Sequence, residues 1–234
     1  MAEIYNTDRF AELYYPSNTA EIMQLGLAGR FIATLFEESQ ITYAFIGGWA
    51  VYLRGGSRTT RDIDISVKTT MDHLREILMA QSRIHFPAIH GKTSVQIFID
   101  VGRNFDKDFP HIPDLAVSMD VVISEQGNLG TPVDLGSSRE SIMPVWPTPQ
   151  GSPVLVLGLF FQIYAKLDAF SRRGGEGSND FLDLEFLFST YATQIPSLRD
   201  YYDLEQRRYF WRHYATTYVA FPEQVENMKT LLGV

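Results

Sequence analysis

Gly47-Gly48-Trp49-Ala50-Val51, followed closely by Arg58-Thr59-Thr60-Arg61-Asp62-Ile63-Asp64-Ile65, is the stretch that decides how this chain folds. Tyr43–Ile46 is a short apolar and aromatic run entering the glycine turn, and it reads as a strand. Trp49–Arg54 continues as a short helix that Gly55-Gly56 stops. Beyond it, Ile63, Ile65 and Val67 alternate with Asp62, Asp64 and Ser66, the period of a strand with one apolar face. Both aspartates therefore leave the strand on the same side, with Cβ atoms roughly 6–7 Å apart. Two carboxylates at that spacing can hold one hard cation between them, or share two Mg²⁺ ions about 3.5–4 Å apart. The glycines complement them. A backbone without Cβ atoms lets a phosphate approach closely, and the amides that open a helix favour an anion. A phosphate cradle beside two metal-binding carboxylates is equipment for phosphoryl or nucleotidyl transfer.

The chain as a whole sets bounds on that reading. Its 234 residues can hold one full domain with a helical extension, or two small domains. A hydrophobic fraction of 45% with 21% charged residues is that of an ordinary globular protein. The absence of cysteine excludes disulfides and cysteine-based zinc sites. Glu3, Asp8 and Glu12 stand where a secretory leader would need positive charge, and no apolar run reaches membrane-spanning length. The expectation is a cytoplasmic protein that does not enter membranes. A net charge of −8 argues against an extended nucleic-acid surface and favours a small-molecule or protein acceptor. Small basic groups occur at Arg54–Arg61, Arg172-Arg173 and Arg207-Arg208, the last read as the solvated face of a charged helix.

Outward from the motif, the chain reads as α/β first and helical afterwards. Apolar residues recur at helical spacing from Thr19 to Glu38. Thr69 and Thr70 offer an N-cap to a helix over Met71–Gln81. Ser94–Val101 and Ala116–Ser124 form a hairpin around a long loop, Asn104 to Asp114. The proline-containing stretch Pro132 to Pro153 separates a catalytic half, residues 1–135, from a helical half, residues 136–234. Val154–Phe170 shows a helical apolar pattern that includes Lys166, followed by a glycine-rich break at Gly174–Gly177 and then Asn179-Asp180-Phe181-Leu182-Asp183-Leu184. Ser178 or Asn179 can cap that last helix. Aromatic residues from Tyr201 to Tyr218 at helical spacing read as a packing or oligomer face, which leaves a homo-oligomer open. The histidines show no zinc spacing, and neither a nucleophile elbow nor a P-loop occurs.

Taken together, G-G-W-A-V and R-T-T-R-D-I-D-I resemble the signature of the DNA polymerase beta-like nucleotidyltransferase superfamily, nearest its minimal and antibiotic-modifying branches. The resemblance implies an α/β (α+β) minimal nucleotidyltransferase fold: a short mixed sheet with helices, and a C-terminal helical subdomain. It also implies a third aspartate on a strand beside the D-x-D strand, a metal ligand that helps deprotonate the acceptor. Asp120, set among apolar neighbours, is chosen over Asp100 at the end of its strand. The implied metal ligands and catalytic residues are Asp62, Asp64 and Asp120, holding two Mg²⁺ or Mn²⁺ ions. Gly47, Gly48, Arg58, Thr60 and Lys166 would contact the nucleotide phosphates. Relatives often carry lysine where this chain has Asn179, which weakens the match of that short segment beyond capping. The implied reaction moves a nucleoside monophosphate from a nucleoside triphosphate to a hydroxyl of an acceptor that the residues do not name. Two other readings stand beside it: a silent domain that binds nucleotide or protein, and a toxin-like or antitoxin-like protein acting on tRNA or a protein.

Overall fold

Ile63, Ile65 and Val67 are completely buried and Asp64 between them is partly exposed, whereas Ser66 on the Asp64 side is buried too, so the strand has an accessible second face only at its start. The structure, a computed structural model, describes residues 1–124, 130–144, 152–173 and 178–234. The chain divides into two compact units, Met1–Gly158 and Leu159–Val234.

The first unit is built on an eight-stranded sheet. Its strands are β1 (Glu3–Tyr5), β2 (Thr42–Ile46), β3 (Ile63–Lys68), β4 (Ile84–Pro87), β5 (Ser94–Val101), β6 (Leu115–Ile123), β7 (Arg139–Ile142) and β8 (Val154–Leu157). Their spatial order is β1-β4-β5-β6-β3-β2-β8-β7. β1 with β4, β3 with β6 and β2 with β8 run parallel, and the remaining pairs are antiparallel. The expected mixed sheet is present, with β1 and the β7–β8 pair extending its two edges. Helices α1 (Thr7–Ser17), α2 (Ile22–Glu38), α3 (Gly47–Leu53), α4 (Met71–Met79) and the single turn α5 (Leu135–Ser138) complete the unit.

Local chemistry explains the element ends. The Thr70 hydroxyl accepts from the His73 amide and starts α4, as the sequence predicts. α2 opens three residues later than the periodicity suggests, because Thr19 Oγ1 donates to the Pro16 carbonyl and closes α1 instead. The Gln24 side chain accepts from the Glu21 amide and donates to the Pro113 carbonyl, which ties the start of α2 to the β5–β6 loop. That loop is held by Asp106, a buried carboxylate bound through both oxygens to Arg83 at 3.0 and 3.2 Å. Leu25, Ala28, Ile32 and Phe36 of α2 join the alternate residues of β3, β5 and β6 in one core.

Two expectations are corrected. Val154–Leu157 is not the first turn of a helix but strand β8, with Val156 opposite Phe45 of β2. A short run of alternating valine and leucine satisfies either period, and the open edge of β2 decides it. Gly158 then ends the strand, its amide bound to the Ser138 carbonyl at 2.8 Å. The sheet thus continues past residue 135, the boundary expected from the prolines, and the first unit ends at Gly158. Residues 145–151 of the proline stretch and Gly174–Gly177 lie outside the described residues.

The second unit contains α6 (Leu159–Arg173), α7 (Asn179–Thr190), α8 (Ile195–Leu198), α9 (Leu204–Thr217) and α10 (Pro222–Leu232). Its aromatic residues are largely core: Phe210 lies 5.8 Å from Phe170, 5.4 Å from Phe181 and 5.1 Å from Phe188, centroid to centroid. Arg207 departs from the expected solvated face. It is buried, and it donates to the Leu232 carbonyl at the C-terminal end of α10, where carbonyls lack helical partners. Its neighbour Arg208 remains exposed and pairs with Glu205. Among the described residues no helix is long and apolar enough to cross a membrane.

Candidate active site

Asp64 sits on β3 directly opposite Asp120 of β6 in the parallel register. Neighbouring strands are about 4.8 Å apart, and residues paired this way point to the same face of the sheet. Asp62 lies one residue before β3 and is exposed; the Thr60 hydroxyl donates to its Oδ1 at 2.9 Å. Asp120 is half buried, and burial followed by the charge of Asp62 raises its pKa above the usual carboxylate range. Among the described residues no three carboxylates or histidines stand together as a group that could hold a metal ion. Mg²⁺ in nucleotide sites characteristically uses one or two carboxylates and takes its other ligands from phosphate and water. The register pair Asp64–Asp120 supplies the one or two oxygen ligands such an ion would take from the protein, with Asp62 close enough for its charge to act on Asp120.

The glycine turn is fitted to these carboxylates. Gly47 has φ +64°, the left-handed region that favours glycine. A Cβ there would stand 2.7 Å from Cγ of Asp64, so the carboxylate packs directly against the bare backbone. A Cβ on Gly48 would meet the Arg58 guanidinium at 2.5 Å and the Thr60 hydroxyl at 3.2 Å. The residues singled out in the motif, Gly47, Gly48, Arg58, Thr60, Asp62 and Asp64, thus form one constellation, with Asp120 brought to it by β6.

Asp100 stands elsewhere. It pairs with Ala116 on β6 and lies 3.0 Å from His85 Nε2, whereas the β5 residue opposite Asp120 is Gln96. Lys166 belongs to the second unit, where its ammonium is held by Asp180 at 2.8 Å and Asp183 at 2.7 Å, with Arg173 on the far oxygen of Asp180. Ser178 caps α7 through the Phe181 amide, so Asp180 and Asp183 both serve the lysine instead. Arg54, counted with the basic group of the motif, is buried and binds Glu140 and the Leu157 carbonyl.

A cavity of about 520 Å³ opens beside Asp64 and Asp120. One lining residue that the sequence reading did not single out is Tyr5. Tyr5 donates to the Gln96 carbonyl at 2.8 Å, and burial, then the Asp120 charge, pushes its hydroxyl up to about 12. The only local signal was the three-residue strand Glu3–Tyr5, too short to show a period.

The raised pKa of Asp120 has a consequence for stability. Its folded value lies above the unfolded one, so the native state holds this proton more tightly. The resulting destabilisation is absent below the ordinary pKa, grows as pH rises through the folded value, and is complete above it. Asp120→Asn is therefore expected to stabilise the metal-free protein at neutral pH, with the gain vanishing below about pH 4. Urea midpoints of the two proteins across this range, in chelator, check it; an equal gain at all pH values would mean that charge is not the cause.

No protein-family model and no curated protein sequence matches this chain. Solved structures do. An antigenic nucleotidyltransferase-like protein from Paracoccidioides brasiliensis superposes with a TM-score of 0.63 at 18% identity, over 89% of this chain and 93% of that one. The chain has the nucleotidyltransferase fold. ANT(2")-Ia, solved in complex with adenylyl-2"-tobramycin, superposes with a TM-score of 0.51 at 14% identity, over 81% of this chain and 98% of that one. In this nucleotidyltransferase fold the paired strands β3 and β6 bring the D-x-D motif and Asp120 side by side.

Proposed function

We propose that the protein transfers a nucleoside monophosphate from a nucleoside triphosphate to an acceptor hydroxyl. The observation that carries this reading is the register pair Asp64–Asp120 set against a glycine turn whose missing Cβ leaves the Asp64 carboxylate in contact with backbone. The acceptor oxygen forms a bond to the α-phosphorus, the bond from that phosphorus to the β-bridging oxygen breaks, and pyrophosphate leaves. Asp120 takes the hydroxyl proton, a task that suits a carboxylate with a raised pKa. Asp62 and Asp64, with Asp120, would hold divalent ions, which when bound supply charge neutralisation for the phosphates and a more acidic acceptor hydroxyl. Arg58 and Thr60 stand over Gly48 and would meet the phosphate oxygens there, adding fixed positive charge and a donor where negative charge builds up. Lys166 is assigned to its ion cluster with Asp180 and Asp183.

The test reads binding before turnover. Mg²⁺ with a nucleoside triphosphate at a hundredfold excess over its dissociation constant is expected to add about 2.7 kcal/mol of stability. The rise should require both components, because the phosphates complete the metal's oxygen shell. It should vanish when Asp62 and Asp64 are both changed to Asn. A melting temperature indifferent to every Mg²⁺–triphosphate pair overturns the proposal. Binding without pyrophosphate release across a broad acceptor panel would instead identify a silent nucleotide-binding domain.

A further inference from the structure

The cavity beside Asp64 and Asp120 has a wall chemistry of its own. Tyr5 and Phe10, from β1 and α1, supply an aromatic side, with ring centroids 6.3 Å apart. Ile89 projects from the segment after β4 almost fully into solvent, 92% exposed, at the border of the same cavity. An isolated apolar side chain in that position is unfavourable in water and becomes favourable once an apolar surface covers it. The polar lining is mostly uncharged: Thr7, Ser94, Asn6, whose oxygen caps α1, and Gln96, whose amide nitrogen donates to Ser118. Among the described residues no lysine or arginine lines the cavity, and the carboxylates that do are Asp64 and Asp120.

That distribution separates three classes of acceptor. A phosphorylated compound or a nucleic-acid end needs several cationic partners, and among the described residues this wall offers no lysine or arginine, only His90, whose Nδ1 lies 2.9 Å from the Gly91 carbonyl. A polycation needs carboxylates in addition to those engaged at the reacting phosphate, and none lines the cavity. An uncharged hydroxyl compound with an aromatic or aliphatic face meets aromatic rings, an exposed isoleucine and neutral amides. A volume of about 520 Å³ is that of a site for a small organic molecule. Resting on the nucleotidyl-transfer reading above, we infer that the acceptor is an uncharged, apolar-faced hydroxyl compound seated between the N-terminal segment and the Asp64–Asp120 pair. The N-terminal residues 5–10 are then the specificity wall, and the reacting hydroxyl points to Asp120.

The experiment measures binding to the full chain by ligand-observed NMR with three probes and no nucleotide. These are phenyl β-glucoside (neutral, with an aromatic face), 4-nitrophenyl phosphate and the polycation tobramycin. Phenyl β-glucoside should bind with the lowest dissociation constant. Ile89→Ala should weaken it severalfold, and Ser94→Trp, which fills the cavity from an exposed position on β5, should abolish it. Both positions are exposed, so neither change disturbs the core. Tighter binding of either charged probe, lost in Ser94→Trp, overturns the inference. So does phenyl β-glucoside binding that ignores both substitutions, or no binding of it at all. Since no nucleotide is present, the outcome is independent of the transfer reading. A protein that binds phenyl β-glucoside as expected but does not respond to Mg²⁺–triphosphate has the pocket without the transfer function, and the opposite result sinks the acceptor class alone.

Discussion

Lys166→Met is expected to destabilise the folded protein by about 3–5 kcal/mol, the loss seen when one partner is removed from a buried ion pair. Asp180 and Asp183 are both almost fully buried, at 4% and 1% relative exposure, and Lys166 bonds to each. Arg173 lies 3.2 Å from the far oxygen of Asp180, so part of the charge there stays compensated when the ammonium is removed. The removed ammonium leaves negative charge in a medium that solvates it poorly, and methionine adds only apolar contact. Urea denaturation gives the loss directly. Lys166→Arg should recover part of it, because charge is kept while the geometry of the ammonium is not. An undiminished urea midpoint in Lys166→Met, together with weaker triphosphate binding, would return Lys166 to the phosphate-ligand role suggested by the family resemblance.

Asp64→Asn is expected to reduce Mg²⁺-dependent pyrophosphate release about a thousandfold, the equivalent of several kcal/mol of lost charge stabilisation. The substitution keeps the shape that packs against Gly47 and removes the charge. Its fold should therefore survive, and a thermal midpoint in chelator near that of the parent checks this. The two readouts must separate: activity falls while stability holds. A variant that releases pyrophosphate as fast as the parent removes Asp64 from the chemistry, and with it the proposed mechanism.

Most of the candidate site could be read from the sequence, because its parts are close together in the chain. The period of two in Ile63–Val67, the glycine turn and the intervening Arg58 and Thr60 all lie within one short stretch, where local sterics and alternation set geometry. The Thr70 cap and the β5–β6 hairpin were legible for the same reason. What was missed lacked a local signal. Strand β1 is three residues long, and α1 buries only Leu13 and Ser17, so neither shows a convincing period. Lys166 read as a phosphate ligand because its spacing matched a pattern, while its carboxylate partners come from the next helix.

By itself the sequence determined that Asp64 leaves its strand on the side opposite Ile63 and Ile65, two residues after Asp62, beside a turn that only small backbone could make. It determined this because strand alternation and glycine's freedom at positive φ act over a few residues. The tertiary structure set Asp120 of β6, the aspartate preferred from its apolar neighbours, opposite Asp64, and left Asp100 of β5 opposite Ala116. It alone decided that Val154–Leu157 joins the sheet as β8 between β2 and β7, and that Tyr5 is brought to the cavity beside Asp120. These outcomes rest on strand register between distant segments. A shift of one residue would exchange the buried and exposed faces of a strand, so burial of the whole core selects the register, and no short window of sequence contains that information.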